Sequence, residues 1–458
     1  MIRRDFLKSG FAALGSLWGG HLFAAPPGWR HGGKPNIIFG VISDTHLRTT
    51  ATGKYSQKYW SDKWVVSALR HFRDQNVDAV IHCGDMAHLG QIEELEFHRV
   101  AWEKVFPGDI APDGHRVERL FVTGNHDIDA PNYGMGEFIK RIYPDEAERK
   151  KHLLRTDIAS SWERIWGEKY EPVWHRQVKG YHFFGRHFVA DERRVAKLVD
   201  SVIGPGNAIR PFFHFAHFPP RARLNKALMR YPNAVGFFGH WHASAADWNR
   251  IIMRSAGPAI QCPSCCPYAN NSLASIQYPW SKTVMEGVSA GGKSRQGYVV
   301  KVYDDMLVIE RREFTHGGSL GADWVMPIGR YEPHPFSKDE LRKAIGEPQF
   351  RKGAEVSVGW TKEKSHLRIG IPLADGNPVS RAFAYEVEIV GDVESQKKFK
   401  TVCASGVNMG IGHEPNKGET RLRIPKTELP SGEVLTFVTH PLTSLGTRGQ
   451  PITAKFKL

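Results

Sequence analysis

Hydrophobic positions follow two rhythms along this chain, and the change between them divides it. Residues 37–42 form an unbroken apolar run that stops at Ser43-Asp44, as a strand buried on both faces would. Trp64, Val65, Ala68, Leu69 and Phe72 then recur at helical spacing. Residues 77–81 predict a second short strand, ending in Cys83-Gly84-Asp85, and residues 120–122 a third, ending in Gly124-Asn125-His126-Asp127. Val195, Leu198, Val199 and Val202 mark a helix at i, i+3, i+4 and i+7. Residues 212–218 read as a strand stopped by Pro219-Pro220, and 235–238 as another, ending in Gly239-His240-Trp241-His242. A hairpin follows, 298–303 with 306–310 around Asp304-Asp305. This alternation from Asn36 to about Phe314 predicts an α/β body. Residues 129–210 read as an insertion in it, either a lid on the substrate side or a cover for the sheet.

Past residue 330 the rhythm changes. Pro333, Pro335 and Pro348 punctuate a linker with one short helix, 338–344. Short alternating runs follow at 355–360, 367–371, 385–390, 421–424, 435–439 and 452–456. Short strands separated by Gly/Pro turns predict an all-β C-terminal domain, a sandwich similar to the fibronectin type III kind. The full length of 458 residues is comfortable for two domains.

Composition narrows the class. Hydrophobic residues make up 41% and charged ones 24%, the balance of a soluble globular protein and not of a disordered or fibrous one. The net charge is +14, and the first 25 residues contribute two of those charges. A basic surface suits anionic partners, whether phosphate esters, nucleic acids or acidic lipid headgroups, and does not choose among them. The amino terminus pairs Arg3-Arg4 with Phe6-Leu7-Lys8, followed by an apolar Gly-rich run over 11–25. It resembles a twin-arginine export signal, which implies a periplasmic or cell-surface destination. That run is short for a membrane span, which needs roughly 20 residues. Leu22-Phe23-Ala24-Ala25 defines no clear cleavage site, so an uncleaved membrane anchor is the alternative to a soluble exported form. Five cysteines, an odd number, are few for a disulfide scaffold. Cys262, Cys265 and Cys266 are expected to be free thiols, with a local disulfide next and a metal site last. Cys83 is expected to be a small buried residue.

Five polar clusters carry the chemistry: Asp44-Thr45-His46, Gly84-Asp85, Gly124-Asn125-His126-Asp127, His217 and Gly239-His240-Trp241-His242. Each lies at or just past the carboxyl end of a predicted strand, where open α/β sheets bind ligands, so clusters far apart in sequence can meet. Carboxylate and amide oxygens mixed with imidazoles suit Mn, Fe, Zn or similar divalent ions. Residues two apart on an extended strand end point the same way, so D-x-H and H-x-H can each face one ion. Glycines before Asp85, Asn125 and His240 are expected to let the backbone turn sharply.

D-x-H, G-D, G-N-H-D, H and G-H-x-H in this order strongly resemble the calcineurin-like metallophosphoesterase superfamily, over roughly residues 36–314. The resemblance implies a four-layer α/β fold, a β-sandwich flanked by helices. It implies that Asp44, His46 and His242 bind one divalent ion, that Asn125, His217 and His240 bind a second, and that Asp85 bridges both. His126 would contact the phosphate and protonate the leaving oxygen, and Asp127 would orient its loop. The chain then divides into an export signal and linker, 1–33, a metallophosphoesterase catalytic domain, 34–328, and the β-sandwich, 329–458. Three residues past the bridging Asp, serine/threonine phosphatase relatives carry a second Asp and purple acid phosphatases a Tyr. Here the residue is His88, similar to the double-strand-break repair nucleases.

The function expected is an exported dinuclear-metal phosphoesterase acting on anionic phosphate esters, with diesters slightly favoured. Phosphomonoesterase action at the same site is one alternative. A non-catalytic protein that binds partners through its C-terminal sandwich is another, and the intact ligand set argues against it. Arg48 and Arg221 lie near the clusters and are expected to be exposed, solvated residues more than phosphate grips. Of the 22 histidines, His214 is expected to face the sheet interior or a neighbouring helix. His152, His175, His182 and His187 are expected at the surface or in structural roles. Substrate identity, metal identity and oligomeric state are open at this level.

Overall fold

In a computed structural model, residues 33–48, 63–204, 210–254, 256–265, 284–285, 295–315, 317–329, 334–375, 377, 381–393, 398–404 and 419–458 are described. The proposed export signal and Cys266 lie outside them.

Two sheets stack face to face. The first is built on three parallel strands, β1 (Ile37–Ile42), β2 (Ala79–His82) and β3 (Glu118–Phe121). On the other side of β1 it is extended by antiparallel Gln296–Val302 and Met306–Glu313, and then by the short Gly318–Ser319 and Trp324–Pro327. The second sheet contains β4 (Val173–Val178), β5 (Tyr181–Arg186), β6 (Phe212–Ala216), β7 (Ala234–Phe238), β8 (Ile251–Arg254) and β9 (Gly257–Gln261), in the order β4-β5-β6-β7-β9-β8. Its central run β5-β6-β7-β9 is parallel.

The period-2 alternation of side chains sets the layers. Ile37, Phe39 and Val41 of β1 point inward and meet Phe183, Phe213 and Phe237 from the facing sheet in one buried cluster. Phe39 contacts all three rings edge-on, at centroid distances of 5.4, 4.9 and 5.9 Å. On the outer face, Ile42, Val80 and Phe121 pack against helices Lys63–Asp74, Ile92–Glu103 and Ile158–Trp166. Phe184, Phe212 and Ala234 do the same for helices Glu192–Val202 and Ala222–Leu228 behind the second sheet. The result is helix, sheet, sheet, helix, the four-layer α/β arrangement.

The segment read as an insertion contains β4 and β5, two integral strands of the second sheet. Its Asp129–Phe138 part, by contrast, approaches the site from outside the sheets. The C-terminal region is all-β. One four-stranded antiparallel sheet runs Val284–Met285, Glu419–Pro425, His366–Pro372, Ser357–Trp360, and another runs Phe399–Ala404, Ala384–Gly391, Val434–Leu442, Ile452–Lys457. Leu367, Ile369 and Leu422 of one share a buried cluster with Val387, Ile389 and Phe437 of the other. The described part of the segment read as a linker is packed, not loose. Its helix Lys338–Ile345 buries Leu341 and Ile345 in the main inter-sheet core, and Trp248 N–H donates to Ser444 Oγ across 2.9 Å.

Candidate metal centre and its surroundings

The carboxyl ends of β1, β2, β3, β6 and β7 all open at one end of the paired sheets, and each delivers one polar cluster. The loop after β1 lies against the loop after β2 through backbone bonds, Asp44 N–H to Gly84 O and His46 N–H to Asp85 O, both 2.9 Å. Nine described non-glycine residues have left-handed φ, and five of them are Asp44, His46, Asp85, His240 and His242, with φ between 44° and 74°. Each such residue carries backbone strain, of order 1–3 kcal/mol, that the packing around it must overcome. Strain this concentrated marks the loops as held in place for their side chains.

The three glycines act differently from one another. Gly84 takes φ +91°, which relaxes the turn into Asp85. Gly124 and Gly239 have ordinary φ and are needed for closeness instead of turning. A Cβ on Gly124 would lie 2.2 Å from Asp85 Oδ1, and one on Gly239 would lie 2.0 Å from Ser43 Oγ.

Asp44, His46, Asp85 and His242 each place one donor atom within 4.8 Å of the others. Nε2 of His46 is 3.2 Å from Nε2 of His242, which is 3.0 Å from Asp44 Oδ1. Ligand atoms around a tetrahedral ion with bonds of about 2.0–2.1 Å lie about 3.3 Å apart, so these separations suit a shared ion. The other expected ligands meet in pairs: Nε2 of His217 is 3.2 Å from Asp85 Oδ2, and Nδ1 of His240 is 3.1 Å from Asn125 Oδ1. The rings of His217 and His240 are 5.2 Å apart. Asp85 thus touches both groups, since its Oδ2 also lies 3.6 Å from Nε2 of His46.

Two orphaned atoms test the fit. Asp44 Oδ1 and His217 Nε2 are buried and have no hydrogen-bonding partner, although each has a polar atom within 3.2 Å. The contacts are close but misaligned for hydrogen bonds. His217 Nδ1 donates to Cys83 O across 2.8 Å, so the neutral ring turns a bare Nε2 lone pair toward a carboxylate. Lone pairs converging on one another repel unless a cation sits between them. Without a metal that cation is a proton. Burial disfavours a charged His217, yet the charge of Asp85 outweighs burial and pushes its pKa up to about 10. For Asp44, burial pushes upward, but His242 more than offsets it and holds the carboxyl well below its usual range. The donor set fits divalent cations.

Asp127 and His126 line the same loop without pointing at those atoms. Asp127 Oδ2 accepts from Gly124 N–H (2.7 Å) and Asp85 N–H (3.0 Å), and Oδ1 from Ala87 N–H (2.7 Å). It therefore ties the third loop to the second. His126 N–H donates to Asp85 Oδ1, and its Nδ1 donates to His88 O, both at 2.8 Å. A carbonyl only accepts, so Nδ1 carries a proton and Nε2 is left to face the site.

The structure gives places to further residues named from the sequence. His88 packs its ring on His126 with centroids 5.4 Å apart, and its Nδ1 is 3.3 Å from Nδ1 of His46. His46, His88 and His126 form a second cluster of donors within 4.8 Å. Arg48, expected to be solvated, is buried with its guanidinium 4.3 Å from the centroid of Phe138. Arg221 is exposed, as expected. His187 is buried at a structural place, accepting from Thr123 N–H at 3.0 Å, and His214 is buried against the backbone of Gly236. Cys83, Cys262 and Cys265 are buried free thiols, with Cys83 and Cys262 Sγ 3.5 Å apart.

Residues 37–244 match the family model described as calcineurin-like phosphoesterase. The chain carries a calcineurin-like phosphoesterase domain. Members of this family are metal-dependent hydrolases of phosphate esters, and the buried Asp/His cluster of the domain is able to hold metal. No curated protein matches the chain. Solved structures similar to it include a dimetal phosphatase of Danio rerio, at 13% identity over 65% of this chain and 100% of that one, TM-score 0.37. A purple acid phosphatase from yellow lupin (Lupinus luteus) seeds shares 14% identity over 62% and 53%, TM-score 0.37. An archaeal phosphodiesterase shares 16% over 60% and 98%, TM-score 0.26. Likenesses this loose add nothing to the assignment of the domain.

Proposed function

We propose that this chain is an exported phosphoesterase with a dinuclear metal centre, and that it prefers phosphodiesters. One observation carries the reading: buried Asp44 Oδ1 and His217 Nε2 stand unpartnered at the meeting point of five loops. Asp44, His46 and His242 would hold one divalent ion, Asn125, His217 and His240 a second, with Asp85 shared. Two such ions, when bound, neutralise phosphoryl charge and lower the pKa of a water. The chain's own residues do the rest. Asp127 keeps the loops of Asp85 and Asn125 in register. His88 O holds Nδ1 of His126, so a proton on Nε2 can pass to the leaving oxygen, a contribution of about 10²–10⁴ in rate. His88, standing where related phosphatases carry Asp or Tyr, supports the diester preference. The net charge of +14 supports an anionic substrate.

Hydrolysis of bis(4-nitrophenyl) phosphate and of 4-nitrophenyl phosphate is the test, on protein stripped by chelator and reloaded with Mn, Fe, Zn, Ni or Mg. The reading expects activity only after reloading, greater on the diester. Undiminished activity after stripping would remove the metal centre, and a monoester preference would replace the diesterase with a phosphatase. Export rests on Arg3-Arg4 and Phe6-Leu7-Lys8; a reporter that folds before transport should reach the periplasm behind residues 1–33 and stay inside once both arginines become lysine.

A further inference from the structure

Beside the metal ligands lies a cavity of about 440 Å3, bounded by His46, His88, His126 and His242 on one side. Tyr133, Gly134, Met135 and Phe138 form a further wall, and the buried Arg48 completes the lining. That volume falls in the range of sites for small organic ligands, roughly 300–1,000 Å3. We propose that this wall receives the organic group of the substrate, and that the enzyme selects phosphate esters of apolar, aryl or bulky alkyl alcohols over those of polyols. The proposal rests on the phosphoesterase reading above.

Three features of the wall lead there. His126, which would protonate the leaving oxygen, lines this cavity, so the alcohol on that oxygen extends into it. The wall offers an aromatic ring, a thioether and a phenol, with one hydroxyl among them. A polyol placed against it would have the Tyr133 hydroxyl and the Arg48 guanidinium to turn to and would give up water at its other hydroxyls, at about 1–3 kcal/mol for each one left unsatisfied. An apolar group gains by leaving water instead.

The wall is also built in advance. Ala130, Ile139, Leu89 and Leu153 make a small separate core, against which Met135 and Phe138 pack. Leu89 follows His88 directly, so wall and metal loop share an anchor. The Arg48 guanidinium, itself part of the cavity lining, lies 4.3 Å from the centroid of that ring. The apolar character continues around the mouth. Tyr133 stacks edge-on toward Phe188, Phe188 lies on Phe218, and Phe218 on His240, with centroids 6.2, 5.3 and 4.2 Å apart. Of the eight large hydrophobic residues exposed among those described, Tyr133, Val189 and Trp241 belong to this rim or adjoin it in sequence. Apolar side chains left in water beside a charged site are explained by a ligand that covers them.

The experiment compares methyl, glyceryl and benzyl phosphates and their methyl diesters, whose alcohols leave with similar difficulty, on the metal-loaded full chain. The wild type should favour benzyl over both methyl and glyceryl by about tenfold or more in kcat/KM, the size of discrimination an apolar pocket achieves. Phe138→Ala and Tyr133→Ala should each reduce the benzyl-to-methyl ratio several-fold, through KM, with metal content kept. Phe138→Leu should retain part of the ratio, which separates a lost contact from a collapsed wall. Equal kcat/KM for the three esters, or a ratio untouched by all three variants, would overturn the proposal while leaving the phosphoesterase reading standing. Hydrolysis confined to phospholipid vesicles, with no selection among the soluble esters, would also overturn it, in favour of a lipid surface. Failure on every ester with both metals bound would instead overturn the phosphoesterase reading itself.

Discussion

Asp127 offers a direct measure of how far one side chain holds the site's backbone together. Its two oxygens accept three buried N–H groups, from Gly124, Asp85 and Ala87. Asp127→Asn keeps the shape but makes one end an NH2 donor. If the amide oxygen stays with Gly124 and Asp85, the Ala87 N–H loses its acceptor; if it flips, the other two do. A buried donor without an acceptor costs about 1–3 kcal/mol, and the surviving bonds lose their charge assistance. The expected loss is therefore about 2–4 kcal/mol in the better orientation. Asp127→Ala orphans all three donors, for about 3–9 kcal/mol. Urea unfolding followed by tryptophan fluorescence, on chelator-treated wild type and both variants, gives these differences. Metal content by plasma emission should fall in both variants, because Asp85 loses the anchor of its own N–H. Variants within about 0.5 kcal/mol of wild type, the range of a surface substitution, and fully loaded with metal would refute the reasoning.

Other outcomes are expected. Asp85→Asn should lower the content of both metals together and be the most damaging single change, since the Asp85 carboxylate lies against imidazole donors of both ligand groups; a fully active variant with two ions would contradict its bridging role. His126→Ala should lose about 10²–10⁴ in rate with metals kept, least for nitrophenyl and most for alkyl esters, which need protonation of the leaving oxygen. Equal losses across leaving groups would make it a positioning residue. Glu94 is buried with Oε2 accepting from Leu89 and Gln91 N–H, and burial, the largest effect, pushes its carboxyl up to about 8. Its folded pKa is above the unfolded value, so its stability is present below pH 4.5 and lost as pH rises through 8, by up to about 4–5 kcal/mol. Glu94→Gln should flatten that part of a pH series of urea midpoints; an unchanged slope would mean that Glu94 stays ionised in the fold.

Much of the site was legible because its motifs are local. An apolar run that ends in a polar cluster marks a strand end within a few residues, and the same holds five times between Asp44 and His242. The short strands shifted slightly: the run over 77–81 became Ala79–His82, because Val77 is still engaged with the end of the preceding helix through its N–H to Phe72 O. Strands β4 and β5 escaped notice for a physical reason. β4 is an edge strand, and Arg176 and Gln177 face solvent, so its pattern is that of a loop. β5 mixes His182, Gly185 and Arg186 with its aromatics, and pairing with β4 and β6 makes it a strand. β9 begins Gly257-Pro258, residues that read as a turn until β8 supplies their partners.

By itself, the sequence determined the α/β body, the all-β tail and the order of the polar clusters, because helical and strand periods and turn residues act over a few positions. The tertiary structure decided what depends on distant residues meeting. Asp44 Oδ1 and His217 Nε2 became buried without a hydrogen-bonding partner only when the strand ends of two sheets came together. Arg48 left solvent because Phe138, ninety positions away, stands beneath it. Gly124 proved necessary because Asp85 Oδ1 occupies the space of its absent side chain. Burial and contact follow from which strands pair across the sheet, and no short window of sequence contains both partners.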